Sequence, residues 1–239
     1  MDMDCERDRV ASKPPPGVAI PDYLEETYWW AYVRPSAIKV FERQWLANLI
    51  LWGNFARLRD AALDELGTRI EGRTLQVACV YGDFSARLAD RVAHDGWLDI
   101  VDVVPVQVGN VRKKLRAGAR ATALQRDSSD LGFADASYDQ ALIFFLLHEQ
   151  PAAVRQRTLH EAVRVVRPGG RIVIVDYHLP NRLHPLRYLF RPVLDFLEPF
   201  ALDLWRDDIA RWLPETVPPG AVRKETFYGG LYQKLVINL

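Results

Sequence analysis

Leu75-Gln76-Val77-Ala78-Cys79-Val80-Tyr81-Gly82-Asp83 is the stretch on which the reading of the fold turns. A β-prone run, Thr74 to Val80, leads into a loop with one glycine, and a helical segment, Phe84 to Ala93, follows. Strand, tight loop and helix in that order form the unit with which nucleotide-cofactor folds begin. Glycines in such a loop let the backbone approach a ligand closely. Here two of three expected glycines are replaced, by Ala78 and Val80, and Gln76 stands where an acid is expected. The stretch therefore predicts a familiar scaffold with an altered site.

Downstream, strands and helices alternate. Trp97 to Val103 reads as a strand, Pro105 to Ala117 as a helix, and Ala121 to Gln125 as a short strand. Tyr138 to Leu146, continuously apolar from Ala141 onward, reads as a strand buried on both faces. Pro151 to Val166 is a helix that Pro168-Gly169-Gly170 stops, and Arg171 to Asp176 is the next strand. This βαβα order implies a doubly wound parallel sheet. Arg223 to Ile237 reads as two strands around Gly229-Gly230. The predicted fold class is thus α/β: a doubly wound, mostly parallel, seven-stranded sheet with a C-terminal antiparallel hairpin and helical lids.

The flanks predict one domain over 21–239, preceded by a disordered charged and Pro-rich tail at 1–20. A helical, aromatic cap spans 21–70. Pro35 is placed to open a helix, Ile38, Phe41, Trp45, Leu49 and Trp52 follow helical spacing, and Gly53 interrupts it. A lid insertion spans 180–215. There Leu186, Leu189, Phe190, Val193, Leu194, Leu197, Ala201, Leu204 and Trp205 mark one helical face, divided by Pro192 and Pro199. Both segments read either as cover for the core or as lids over an apolar substrate.

Composition narrows the partners. Lys+Arg and Asp+Glu are each 31 in 239 residues, so no basic excess points to nucleic acid. The two cysteines, Cys5 in the tail and Cys79 in an expected buried strand, make a disulfide framework improbable, which suits a reducing cytosol. No apolar run reaches the roughly 18 residues that span a bilayer. The expected location is cytoplasmic, peripherally associated with the inner membrane. The aromatic segments would contact the membrane surface, and Arg182, Arg187 and Arg191 would meet headgroups.

Over residues 70–239 the order of elements resembles the class I S-adenosylmethionine (SAM) methyltransferase superfamily. Asp102, with Val103, closes the second strand as the ribose-binding acid does there, and Asp127-Ser128 resembles the loop that caps adenine. The resemblance makes Gln76, Ala78, Val80, Tyr81 and Gly82 the first cofactor loop. Three strings are more specific: Val77-Ala78-Cys79-Val80-Tyr81-Gly82-Asp83-Phe84-Ser85, Tyr28-Trp29-Trp30-Ala31-Tyr32-Val33-Arg34-Pro35, and Val175-Asp176-Tyr177-His178. They are similar to the rhodoquinone biosynthesis (RquA) family. That resemblance implies conversion of ubiquinone to rhodoquinone. A ring methoxy is replaced by an amino group, with SAM as nitrogen source and manganese as metal.

His148-Glu149 ends the fourth strand, and Asp176 and His178 end the fifth, at the carboxyl edge where open sheets bind ligands. Together they form the expected metal set, since mixed oxygen and imidazole ligands suit manganese. Tyr81, His148 and His178 are the expected catalytic residues. Without metal, the same residues read as hydrogen-bonding groups. Asp99, in mid-strand, has no assigned role. Two alternatives stay open: a conventional methyltransferase of a quinone or other lipophile, and a non-catalytic SAM-fold partner subunit.

Overall fold

The computed structural model of the protein describes residues 18–28 and 43–239. Nearly all of the expected tail lies outside them, as do Cys5, Pro35, Ile38 and Phe41. The elements are α1 (Asp22–Thr27), α2 (Gln44–Ile50), α3 (Phe55–Leu66), β1 (Arg73–Val77), α4 (Phe84–Asp90), β2 (Trp97–Asp102), α5 (Pro105–Lys114) and β3 (Ala121–Gln125). They continue with β4 (Tyr138–Phe144), α6 (Ala152–Val165), β5 (Val166–Tyr177), α7 (Leu186–Leu189), α8 (Arg191–Leu197), α9 (Asp203–Arg206), β6 (Val222–Phe227) and β7 (Tyr232–Asn238). Short 3-10 turns lie at Leu147–Glu149, Ile209–Trp212 and Tyr228–Gly230.

One seven-stranded sheet runs β3-β2-β1-β4-β5-β7-β6. The first five strands pair in parallel, and β7 joins β5 and β6 antiparallel. The fold class predicted from the sequence is the one observed. The strand order reverses between β1 and β4, which opens a crevice above their carboxyl ends. The central strands are buried on both faces because α3 and α6 lie against β5, while α5 lies against β2 and β3. Leu75, Ala141, Leu142, Ile143, Val173 and Ile174 are all essentially inaccessible.

Boundaries differ from the sequence reading in informative ways. β1 ends at Val77, so Cys79 is a half-buried loop residue rather than part of a strand. β5 starts at Val166 and carries Pro168-Gly169-Gly170 within it, with a register shift opposite Tyr138 and Gln140. Gly170 is required there: a Cβ would sit 2.5 Å from Val166 Cγ1 and 2.7 Å from the Asp139 carbonyl. Asp99 acquires a structural role, accepting from Tyr138 Oη at 2.9 Å and Arg73 Nη2 at 2.8 Å.

The lid is not one kinked helix. Pro192 and Pro199 leave it as the short helices α7, α8 and α9 followed by a 3-10 turn, because a proline blocks the hydrogen bond of the preceding turn. Leu186, Phe190, Leu194, Ala201, Leu204 and Trp205 of the expected stripe are buried, whereas Leu189, Val193 and Leu197 are exposed. The cap is divided too. Trp52 (φ 52°) and Gly53 (φ 77°) turn the chain between α2 and α3.

Candidate functional site

A cavity of about 530 Å³ lies over the carboxyl ends of the sheet, roofed by α1, α2 and α8. Its first end is made by the loops after β1, β2 and β3. Ala78, at the first altered glycine position, has φ 73°, a left-handed conformation that disfavours a Cβ. The loop keeps the glycine-type backbone although the glycine is gone. Gln76, fully buried, props it from behind. Its Nε2 donates to the Ala78 carbonyl at 3.0 Å and to Ser85 Oγ at 2.8 Å.

Asp102 accepts the Cys79 N–H at 2.8 Å and the Val104 N–H at 2.8 Å. Burial pushes its carboxyl up, the two N–H donors oppose this, and the balance is about 6. Such a group gains from ligand hydroxyls that donate to its charged form. Tyr81 Oη accepts from Gln107 Nε2 at 2.7 Å, which ties the β1 loop to α5. Asp127 closes a tight turn by accepting the Ser129 N–H at 2.7 Å, and Ser128 Oγ accepts from Gln150 Nε2 at 2.9 Å. Tyr23 of α1 lies close enough to Glu149, Asp127 and Asp102 that burial and their charges raise its hydroxyl.

The other end lies beyond β4 and β5. His148 Nδ1 is 2.9 Å from Asp176 Oδ1, and both side chains are buried. An ionised carboxylate can only accept, so Nδ1 carries the proton. Burial alone pushes the imidazole down; the Asp176 charge and hydrogen bond outweigh it, helped by Glu198 and Glu149, and hold it at about 9. His148 is therefore an imidazolium near neutral pH. Its ring meets Tyr177 edge-on at 4.9 Å and Phe145 at 5.9 Å, giving this end an aromatic wall.

The profile of the methyltransferase domain family matches residues 74–170. A ubiquinone/menaquinone biosynthesis C-methyltransferase from Syntrophotalea carbinolica is 30% identical over 203 residues, 84% of each chain. A demethylmenaquinone methyltransferase from Beutenbergia cavernae is 38% identical over 144 residues, 59% of this chain and 56% of that one. This chain belongs to the class I SAM methyltransferase family. Against several of its curated relatives, a class I methyltransferase chain like this one spans only about half their length. Among solved structures, an O-methyltransferase family protein from Burkholderia thailandensis shares the fold, with a TM-score of 0.59, 19% identity, and coverage of 84% of this chain and 59% of that one.

Within this class I fold, Ala78, Val80, Tyr81, Asp102, Val103, Asp127 and Ser128 all line the cavity. Gln76 and Gly82 do not. Gln76 acts behind the loop, and Gly82 (φ 78°) turns it, its carbonyl accepting Lys114 Nζ at 2.9 Å. His148 and Glu149 line the second end, with Asp176 behind His148. His178 is not with them. Its Nδ1 is 2.8 Å from the Gly230 carbonyl, so its ring is engaged by the hairpin turn.

The expected manganese set does not fit. His148 Nδ1 is engaged by Asp176, which leaves the ring a single nitrogen to offer. Asp176 Oδ2 already accepts the Leu147 N–H at 2.8 Å, and Oδ1 accepts the Tyr177 N–H at 2.7 Å as well as His148. Among the described residues no three His, Cys, Asp or Glu side chains converge as metal ligands. His178 also loses its expected catalytic place, since it does not reach the cavity.

Sequence reasoning missed Glu198, Gln150 and Arg155. Arg155 is fully buried on α6 and donates to the carbonyls of Leu147 (2.8 Å), Gln150 (2.8 Å) and Phe200 (2.9 Å). It fastens the His148 turn to the lid. Its guanidinium also lies over Trp212 at 4.6 Å. An arginine on a helix normally reads as a solvated position, so periodicity carried no signal for it.

Proposed function

We propose that the chain is a SAM-dependent transferase acting on the ring of a prenylated quinone. The carrying observation is that one cavity joins two unlike ends. Strand-end carboxylates Asp102 and Asp127 suit ribose and adenine, while Phe145, Tyr177 and Phe190 form an apolar aromatic wall for a flat ring. The leading reading is methyl transfer to a quinone-ring precursor, which the activities named for the relatives support. SAM would lie with its ribose on Asp102 and its sulfur toward the aromatic end. Methyl transfer needs a ring carbon in line with the methyl–sulfur bond, and the β1 loop and the aromatic wall would hold that line.

A second reading is amino transfer that makes rhodoquinone from ubiquinone. It is supported by the sequence similarity already described and by the loop itself. Val80 puts a side chain where a glycine would admit the methionine end of SAM, and Tyr81 adds bulk beside it, which favours a changed presentation of that end. In this reading the SAM amine nitrogen bonds the ring carbon, methanol leaves, and the nitrogen–Cα bond of SAM then breaks to free the ring amino group. The side chains present supply an imidazolium and carboxyl groups for proton movement, and no step is assigned to a metal.

The test uses SAM carrying both a carbon-13 methyl and a nitrogen-15 amine, with ubiquinone or a demethylated ring precursor, with and without manganese. Carbon-13 in the product identifies methyl transfer and nitrogen-15 identifies amino transfer. No label in any product would contradict both and leave a binding subunit.

We also propose that the substrate enters from a membrane surface. Leu183 (97%), Phe196 (85%) and Leu189 (68%) of the lid and Trp45 (61%) of α2 are exposed, and Leu49, Trp52 and Leu197, also exposed, line the cavity. Exposed Arg182 and Arg191 lie on the same lid segment and would meet anionic headgroups. Among the described residues no helix is long and apolar enough to cross a bilayer. Flotation with anionic vesicles should recover the wild type, and Leu189→Ser with Phe196→Ser should remain in the aqueous fraction. Equal flotation of both would remove the lid from this role.

A further inference from the structure

Glu198 has no place in the sequence reading, yet it projects into the cavity from the end of α8. Its position follows from its neighbour. A residue before proline is driven out of the helical region, and Glu198, before Pro199, has φ −136° and ψ 64°. The apolar helix α8 therefore ends there. Leu194 beside it is buried in the core.

The carboxyl group reaches a crowded interior. His148, Glu149, Asp176, Tyr28 and Tyr177 all face it or share its surroundings. His148, the cation whose charge acts on Glu198, is already hydrogen-bonded to Asp176. The Tyr28 hydroxyl lies against the carboxyl. Oε2 is buried and makes no hydrogen bond among the described residues. A carboxyl group placed in an apolar lid with an oxygen left unpaired gains nothing for folding. It is explained by a ligand atom that completes the set.

Resting on the quinone reading above, we infer that Glu198 is a substrate-binding residue whose carboxyl hydrogen-bonds a ring oxygen of the quinone and seats the lid on the substrate. The ring lies between this lid carboxyl and the Phe145–Tyr177 wall. A neutral ring oxygen accepts one hydrogen bond without adding charge to the pocket. Burial raises the Glu198 carboxyl, against the opposing His148 charge and the nearby Tyr28 hydroxyl.

The experiment compares wild type, Glu198→Gln and Glu198→Leu as full chains. Quenching of tryptophan fluorescence by ubiquinone with a short isoprenoid tail reads substrate affinity. Calorimetry with S-adenosylhomocysteine reads the cofactor end, and thermal melting reads the fold. Glu198→Leu should weaken the quinone about tenfold or more while binding S-adenosylhomocysteine normally and melting no lower than wild type. Glu198→Gln keeps a donor and should bind the quinone within about threefold of wild type. Normal quinone affinity in Glu198→Leu would overturn the inference alone. Equal losses in both variants would contradict the donor assignment. Wild type that binds no quinone would overturn the substrate reading and this inference with it.

Discussion

At the β1–β2–β3 end of the cavity two carboxyl groups, Asp102 and Asp127, are each held by backbone N–H groups. At the β4–β5 end an imidazolium and three carboxyl groups, Glu149, Asp176 and Glu198, gather among aromatic rings. The first end follows from topology: parallel strands deliver their carboxyl ends in a fixed order, and any chain with this sheet presents a loop there. The second end depends on segments without regular period, fastened by a buried arginine. One therefore expects the first end to tolerate side-chain changes and the second to fail when a single tie is cut.

Arg155 offers the hardest test of that contrast. Arg155→Ala strands three buried carbonyls and releases the lid from the His148 turn. We expect a loss of about 3–5 kcal/mol in urea unfolding, the cost of breaking a buried charged network. A loss below about 1 kcal/mol would mean that the lid is held by its apolar contacts alone. At the other end, Asp102→Ala should leave the fold intact but weaken SAM by about 1.5–3 kcal/mol, roughly 10- to 150-fold by calorimetry. Because its carboxyl is held at about 6, wild-type affinity should fall as the pH drops below that value, and Asp102→Asn should show no such fall.

The histidine sharpens the comparison through pH. Its folded pKa, about 9, lies above the unfolded value near 6.5, so the folded state holds the proton more tightly. The stability this contributes is full below about pH 6.5 and is lost as the pH rises through about 9. Wild type should lose about 1–3 kcal/mol more than His148→Gln between pH 6 and pH 10 in denaturant titrations. Parallel curves would show that Asp176 does not hold His148 charged. The smallest effect belongs to the loop. Ala78→Gly relieves a left-handed alanine at φ 73° and should stabilise by about 0.5–1 kcal/mol. Destabilisation instead would mean that the Ala78 methyl group packs usefully in the loop.

Legibility followed the same division. The β-prone runs and the Gly229-Gly230 turn disclosed the sheet, and the place of Asp102 at the end of β2, on the cavity, was legible from the strand order. Gln76 was assigned to the ligand but serves the loop, since sequence does not say which side of a turn a buried amide faces. His178 follows Asp176 by two residues, yet β5 ends at Tyr177 and the hairpin turn captures its ring. Glu198 and Arg155 were invisible for one physical reason. A buried charge is placed by tertiary partners, and neither helical period nor local propensity encodes those partners. The lid stripe was half legible: proline positions were right, but breaking the helix sent Phe190 inward and left Leu189 outside.

The most direct test of the two-ended cavity is a crystal structure of the full chain with S-adenosylhomocysteine and a short-tailed quinone bound together. The account predicts ribose hydroxyls on Asp102, adenine beside Asp127 and Ser128, and the quinone ring between Tyr177 and Glu198. Adenosyl density away from Asp102, or a ring bound outside the Phe145–Tyr177 wall, would contradict it.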